Sequence, residues 1–64
     1  MDEDRAELVR QLYTRIGMEM EDASVIALEL GAPQSTFDPG QIQKLEEVAD
    51  LMVHLAKAAR SIAE

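Results

Sequence analysis

The stretch LGAPQSTFDPGQI, residues 30–42, contains the signals for the end of one helix and the start of another. Gly31, followed closely by Pro33, is typical of a helix end, because glycine readily adopts the left-handed conformation and proline cannot continue a helix. Asp38 is a favoured N-cap residue, and Pro39 then occupies the first helical position. The stretch therefore predicts that one helix ends near residue 30 and that a second begins near residue 39.

Apolar residues recur at helical spacing on both sides of this turn. In helix 1 they form a heptad seam of Val9, Tyr13, Ile16, Met20, Ala23, Ala27 and Leu30, with Leu12 and Ile26 beside it. Helix 2 has two adjacent seams: Ile42, Leu45, Ala49, Met52, Ala56, Ala59 and Ala63, and then Val48, Leu51, Leu55, Ala58 and Ile62. We expect helix 1 at about residues 3–30, a loop at 31–38 and helix 2 at about 39–63. Gly17 weakens the middle of helix 1 by roughly 1 kcal/mol relative to alanine, which leaves a kink or a short break there as an open alternative to a continuous helix.

Two helices of matched length with a short joint pack as antiparallel neighbours. A chain of 64 residues buries too little surface to be comfortably stable alone, and with no cysteine it cannot form a disulfide. One partner helix also covers only one of the two seams of helix 2. The sequence therefore predicts an all-α, antiparallel two-helix hairpin, a single domain over residues 1–64, that dimerises into a four-helix bundle.

The segment ASVIALEL, residues 23–30, is apolar on almost every side and is therefore predicted to be an interface. The candidate interface residues are Val25, Ile26, Leu28, Leu51 and Leu55. Arg10 and Arg15 precede Gly17, whereas Glu21 and Glu29 follow it. Antiparallel packing of two such helices sets opposite charges side by side, so charge favours that orientation more than it supplies affinity.

Composition argues against several classes of function. The net charge is −7, and no Lys or Arg lies between Arg15 and Lys44, which disfavours nucleic-acid binding. A helix-turn-helix over residues 25–45 would moreover carry Pro39 and Gly40 in its recognition helix. No uncharged apolar stretch approaches the ~20 residues of a membrane span. The start MDEDR has no apolar run behind it, so we expect no signal peptide and a cytoplasmic location.

His54 is the one side chain whose ordinary pKa lies near neutrality, and it falls on the polar face of helix 2. The stretch HLAKA, residues 54–58, resembles the signature of histidine phosphotransfer domains, which are four-helix bundles with an exposed histidine and a lysine three residues on. The sequence departs from that signature by placing Leu55 directly after the histidine and Ala58 where the family usually has glycine. The resemblance implies phosphotransfer at His54 with Lys57 beside it; a solvated surface histidine is the simpler interpretation.

Catalysis and bound cofactors are not expected. Ser24, Ser35, Thr36 and Ser61 have only His54 as a possible base, with no pattern that links them. A carboxylate-bridged metal site in a bundle needs Glu three residues before His, and Leu51 stands there. We therefore expect a protein that is not an enzyme, with no metal and no cofactor.

In size and hairpin form the chain resembles the plasmid-encoded Rop-type dimers, although no residue motif aligns with them. That resemblance implies a homodimeric four-helix bundle; those dimers bind paired RNA loops, which requires a basic face that this sequence lacks. The sequence predicts a small interaction module, a regulator or adaptor that acts through helix–helix contacts with itself and with other proteins. A phosphotransfer protein and a structural subunit of a larger assembly are the alternatives.

Overall fold

A computed structural model describes residues 2–64, in which the chain forms two helices packed along each other and no strand. Helix α1 spans Glu3–Leu30 and helix α2 spans Pro39–Ala63. The Arg5 guanidinium donates a 2.6 Å hydrogen bond to the backbone carbonyl of Ile62, which places the start of α1 beside the end of α2. The hairpin is therefore antiparallel, and it measures 50 × 14 × 12 Å.

Each helix begins at an aspartate whose side chain caps it. The Asp2 carboxylate accepts from the Arg5 backbone N–H at 2.8 Å, and the Asp38 carboxylate accepts from Gly40 N–H at 2.9 Å. Pro39 at the first position of α2 has no N–H that would need a partner. The prediction of Asp38 as the N-cap of the second helix is confirmed.

The end of α1 differs from the sequence prediction. Gly31 is not left-handed; its φ is −83°, and its N–H donates to the Ala27 carbonyl at 2.9 Å. The chain leaves the helix through tighter turns, with Ser35 N–H donating to the Ala32 carbonyl at 3.0 Å. The left-handed residue is instead Phe37, at φ 55°, where the chain must redirect into α2. A left-handed conformation costs a residue with a Cβ roughly 1–2 kcal/mol.

Gly17 does not break α1, which runs continuously through it. A Cβ built at Gly17 meets no atom within 4 Å. Glycine destabilises a helix interior by roughly 1 kcal/mol relative to alanine. The packing of α1 against α2 offsets this cost, so the helix continues through Gly17.

The two helices meet along a line of buried and half-buried residues, here called the packing seam. In α1 it consists of Val9, Leu12, Ile16, Glu19, Ala23, Ile26 and Leu30; Ala6, nearer the start of the helix, is half-buried beside this line. In α2 it consists of Gln41, Leu45, Val48, Met52, Leu55, Ala59 and Ile62. From Leu45 onward, the α2 residues of the packing seam come alternately from the two seams predicted for helix 2. Each predicted seam therefore contributes only every second one of its residues.

The predicted seam of helix 1 was wrong at every second position. Tyr13 and Met20 are 57% and 58% exposed, and Ala27 is exposed as well. Leu12 and Ile26 take part in the packing instead of their neighbours, because their branched aliphatic side chains fill the space between two close helices. The same rotation brings Glu19 into the packing seam, where its carboxylate receives a 2.9 Å bond from Arg15.

The hairpin has a small core. Among residues 2–64 the buried apolar positions are Val9, Val48 and Ala59, and of these Ala59 alone has no exposed surface. The accessible surface is 4850 Å². A compact monomer of this mass is expected to expose about 4,100 Å². Several large apolar side chains are more than half exposed, and their arrangement is the feature that bears on function; they include Tyr13, Met18, Met20, Val25 and Leu28.

Candidate functional site

The five predicted interface residues lie in three different places. Ile26 and Leu55 are half-buried in the packing seam, where they hold the hairpin together. Val25 and Leu28 are exposed on the side of α1 away from α2, and Leu51 is 36% exposed on one flank of α2. The structure therefore does not assemble these five residues into one surface.

A different set of apolar residues does share one surface, which we name the apolar face. Each member directly follows a residue of the packing seam that lies on its own helix. Its members are Tyr13, Met20, Ala27, Ile42, Ala49, Ala56 and Ala63. In heptad terms these residues occupy position e on both helices. When two helices pack antiparallel, their e positions lie on the same side of the pair. All seven are exposed.

The apolar face pairs large residues with small ones across the hairpin. The bond from Arg5 to Ile62 at one end and the loop at the other set the register of the helices. This register places Tyr13 roughly level with Ala56, and Met20 roughly level with Ala49. Further along, Ile42 is roughly level with Ala27. Each large side chain thus lies beside an alanine. The resulting surface has ridges and grooves into which the side chains of another helix pair can pack.

The two flanks of the hairpin differ in charge. None of the seven residues of the apolar face is charged. The equivalent positions on the opposite flank are mixed: four of the seven are charged, and the other three are apolar. They are Leu8, Arg15, Asp22, Glu29, Lys44, Leu51 and Ala58. A helix pair typically carries charged residues on the side that faces water and apolar residues on the side that faces a partner. The apolar face is therefore the candidate functional site.

Among residues 2–64 the ion pairs lie within α1, and each has at least one partner that is more than half exposed. Arg10 approaches Glu3 at 3.3 Å and Glu7 at 3.1 Å, while Arg15 approaches Glu19 at 2.9 Å. Exposed pairs of this kind contribute roughly 0.2–1 kcal/mol each, so they support the helix without defining a site.

His54 is exposed on α2, as its polar surroundings in the sequence predict. Its Nδ1 lies 2.7 Å from the Asp50 carbonyl oxygen, one turn earlier in the same helix. With the proton on Nδ1 this is a hydrogen bond that the ring donates, and Nε2 is then the basic nitrogen. Lys57 is also exposed, one turn further on. Phosphotransfer at His54 stays a prediction, because an exposed histidine fits that role and a plain surface role equally well.

The part of the chain that the structure describes, residues 2–64, holds no group of three or more His, Asp or Glu placed to bind a metal ion, and no cavity. Neither α1 nor α2 is both long and apolar enough to cross a membrane. Comparisons of the chain with protein-family models, with curated proteins and with solved structures found no match.

Sequence reasoning listed the members of the apolar face but assigned them to the packing between the two helices. The signal that identifies them is present in helix 2, where Ile42, Ala49, Ala56 and Ala63 recur at steps of seven. A strict seven-residue repeat of apolar residues beside an established seam indicates a second contact along the whole helix.

Proposed function

We propose that this protein is a small, non-catalytic interaction module that works as a homodimer, with the apolar faces of two hairpins packed against each other in a four-helix bundle. The observation that supports the proposal is the uncharged apolar face itself, with Tyr13 and Met20 more than half exposed in the single hairpin. Soluble monomers seldom leave a contiguous apolar surface of this extent uncovered. A second copy supplies an uncharged surface of matching length.

The area available is suited to such a dimer. The hairpin exposes 4850 Å², which is roughly 750 Å² more than the value expected for a compact chain of its mass. A stable interface buries about 1,200–2,000 Å² in total, or about 600–1,000 Å² from each copy. The extended shape of the hairpin, 50 × 14 × 12 Å, offers a face of sufficient length for such a contact.

The distribution of charge favours one orientation of the two hairpins. Residues 16–50, the half next to the loop, contain eight acidic residues and one lysine: Glu19, Glu21, Asp22, Glu29, Asp38, Glu46, Glu47, Asp50 and Lys44. The rest of the chain has five acidic residues and five of Lys or Arg, so this half carries the entire net charge of −7. Hairpins with their loops at opposite ends pair each acidic half with a neutral half, whereas loops at the same end place two acidic halves together.

In this arrangement the bundle is a scaffold, and its biological activity lies in what its outer surfaces bind. Each helix would contact the other helix of its own chain along the packing seam. It would contact the partner chain along the apolar face. The outer sides of all four helices would remain exposed. The proposed role is accordingly that of a small regulator or adaptor that presents these helical surfaces to other proteins in the cytoplasm.

Two single variants of α2 test the proposal, each of which adds one negative charge to a different flank of the helix. Ala56 belongs to the apolar face, and Ala58 is an exposed alanine on the opposite flank. Sedimentation equilibrium at micromolar concentration should give about twice the monomer mass for the wild-type protein. Ala56→Glu should raise the dissociation constant by at least about 100-fold, because an unpaired carboxylate buried in an interface costs several kcal/mol.

Ala58→Glu is the matched control, with the same substitution in the same helix, and it should leave the dimer intact. A wild-type protein that stays a folded monomer across the micromolar range would contradict the proposal. Equal weakening by Ala56→Glu and Ala58→Glu would show that the dimer does not use the apolar face.

A further inference from the structure

A second exposed apolar surface lies on the outer side of α1, away from α2 and from the apolar face. Met18, Val25 and Leu28 are 58%, 57% and 73% exposed, and Leu28 has the largest exposed fraction among the large apolar residues. Glu21, Asp22 and Glu29 stand among them at the spacing of one helical stripe. We name these six residues the outer stripe.

Dimerisation does not cover the outer stripe. In a four-helix bundle each helix contacts two neighbours, and the third side of the helix faces solvent. The packing seam and the apolar face account for the two contacts of α1. Met18, Val25 and Leu28 therefore stay exposed in the proposed dimer, although three large apolar residues on one stripe are characteristic of a contact surface.

The charges of the outer stripe determine the chemistry of its occupant. The stripe contains three acidic residues and no basic residue, and it lies entirely within residues 16–50, which carry the net charge of −7. Two copies of the stripe packed together would oppose six carboxylates, which disfavours a second copy of this chain. The apolar face has no charge at all, so the two surfaces suit different occupants.

We propose that the outer stripe binds a basic amphipathic helix of another protein. The partner's aliphatic side chains pack between Met18, Val25 and Leu28, and its Lys or Arg residues pair with Glu21, Asp22 and Glu29. The flexible Met18 side chain adapts to aliphatic partners of different shape. A single helical stripe buries little area, so the complex is transient, and its association depends on ionic strength.

The probe is a synthetic helical peptide with leucines at i, i+3, i+4 and i+7 and lysines at its other positions, and the control peptide has glutamate in place of every lysine. Titrated against the full-length dimer at low salt, the lysine peptide should bind at micromolar concentration and release as salt is raised, while the glutamate peptide should not bind. Backbone amide shifts in nuclear magnetic resonance should be concentrated between Met18 and Glu29. Equal binding of both peptides, or shifts centred on another surface, would overturn the proposal.

Leu28→Gln and Leu8→Gln make a matched pair, since both leucines are exposed on α1 and Leu8 lies near its other end. Leu28→Gln should weaken binding of the lysine peptide roughly tenfold, the effect of losing one well-covered aliphatic side chain. Leu8→Gln should leave peptide binding unchanged, and both variants should sediment as dimers. If both variants bind the peptide alike, or if Leu28→Gln dissociates the dimer, the outer stripe is not a site for a basic helix.

Failure of this proposal and failure of the dimer are separable, because the peptide titration and the sedimentation mass are independent measurements. A monomeric protein that binds the lysine peptide through Met18–Glu29 would support the outer stripe while removing the dimer. A dimer that binds neither peptide would keep the dimer while removing the outer stripe.

Discussion

Replacing Glu19 by leucine should stabilise the hairpin, which is an unusual expectation for a charged residue in a salt bridge. Glu19 lies in the packing seam, where its side chain is only 13% exposed, while its partner Arg15 is 57% exposed. The seam positions before and after it in α1 are the apolar residues Ile16 and Ala23. A leucine there continues the apolar packing between the two helices without the need to keep a carboxylate near solvent.

The magnitude follows from the covered fraction of the side chain. Full burial of a leucine stabilises by about 1.5–3 kcal/mol relative to exposure. The methylene groups of Glu19 already contribute part of that, which leaves a gain of roughly 1–2 kcal/mol. Loss of the pair with Arg15, an i,i+4 pair, removes about 0.3–0.5 kcal/mol. The net gain is about 1 kcal/mol, which corresponds to a rise in melting temperature of about 4–8 °C in a domain of this size.

The assay is thermal unfolding followed by circular dichroism, with all variants at one protein concentration because unfolding of a dimer depends on concentration. Glu21→Leu is the matched control. Glu21 is exposed on the outer side of α1, so the melting temperature of this variant should differ little from that of the wild-type protein. If Glu19→Leu melts lower than the wild-type protein, or no higher than Glu21→Leu, then position 19 does not face α2 and the packing seam described above is wrong.

Three further substitutions test local features. Gly17→Ala should raise the free energy of unfolding by roughly 1 kcal/mol, because the added Cβ meets no atom within 4 Å; a loss of stability in urea denaturation would show that a backbone approaches there. Asp38→Ala should lower the free energy of unfolding by about 1 kcal/mol, because Gly40 N–H loses its acceptor; unchanged melting would place the start of α2 elsewhere. His54→Gln should leave fold and oligomeric state intact, as the ring is exposed and its hydrogen bond is to the Asp50 carbonyl of the same helix; transfer of labelled phosphate to the wild-type protein, lost in this variant, would establish phosphotransfer.

The hairpin could be predicted from the sequence because its signals are local. Asp38 followed by Pro39 specifies the start of a helix through one side chain and one missing N–H, and neither depends on distant residues. The end of α1 was harder to predict. Gly31 permits a left-handed conformation but does not require it, and the chain places that conformation at Phe37 instead.

The rotation of α1 could not be predicted from its pattern, because neighbouring positions are apolar. Leu12 and Tyr13 are adjacent, as are Ile26 and Ala27, so both choices of seam are consistent with helical periodicity. Glu19 biases the sequence interpretation toward Met20, since a carboxylate is expected outside. Packing density decides otherwise: a two-helix contact is narrow enough for Glu19 to keep its carboxylate at the rim beside Arg15. The apolar face became identifiable only once the packing seam was known.

The distance between the loops of two subunits depends both on dimerisation and on the orientation that charge favours, so one measurement tests both. The chain has no cysteine, so Gln34→Cys in the exposed loop gives a single attachment site for a spin label. Double electron–electron resonance should then report a separation close to 50 Å, the length of the hairpin, because the proposed bundle has its two loops at opposite ends. A separation of roughly 20 Å, the width of two helix layers, would mean that the loops lie at the same end. The absence of any coupling between labels at a concentration where the protein is folded would mean that the two hairpins do not form a bundle.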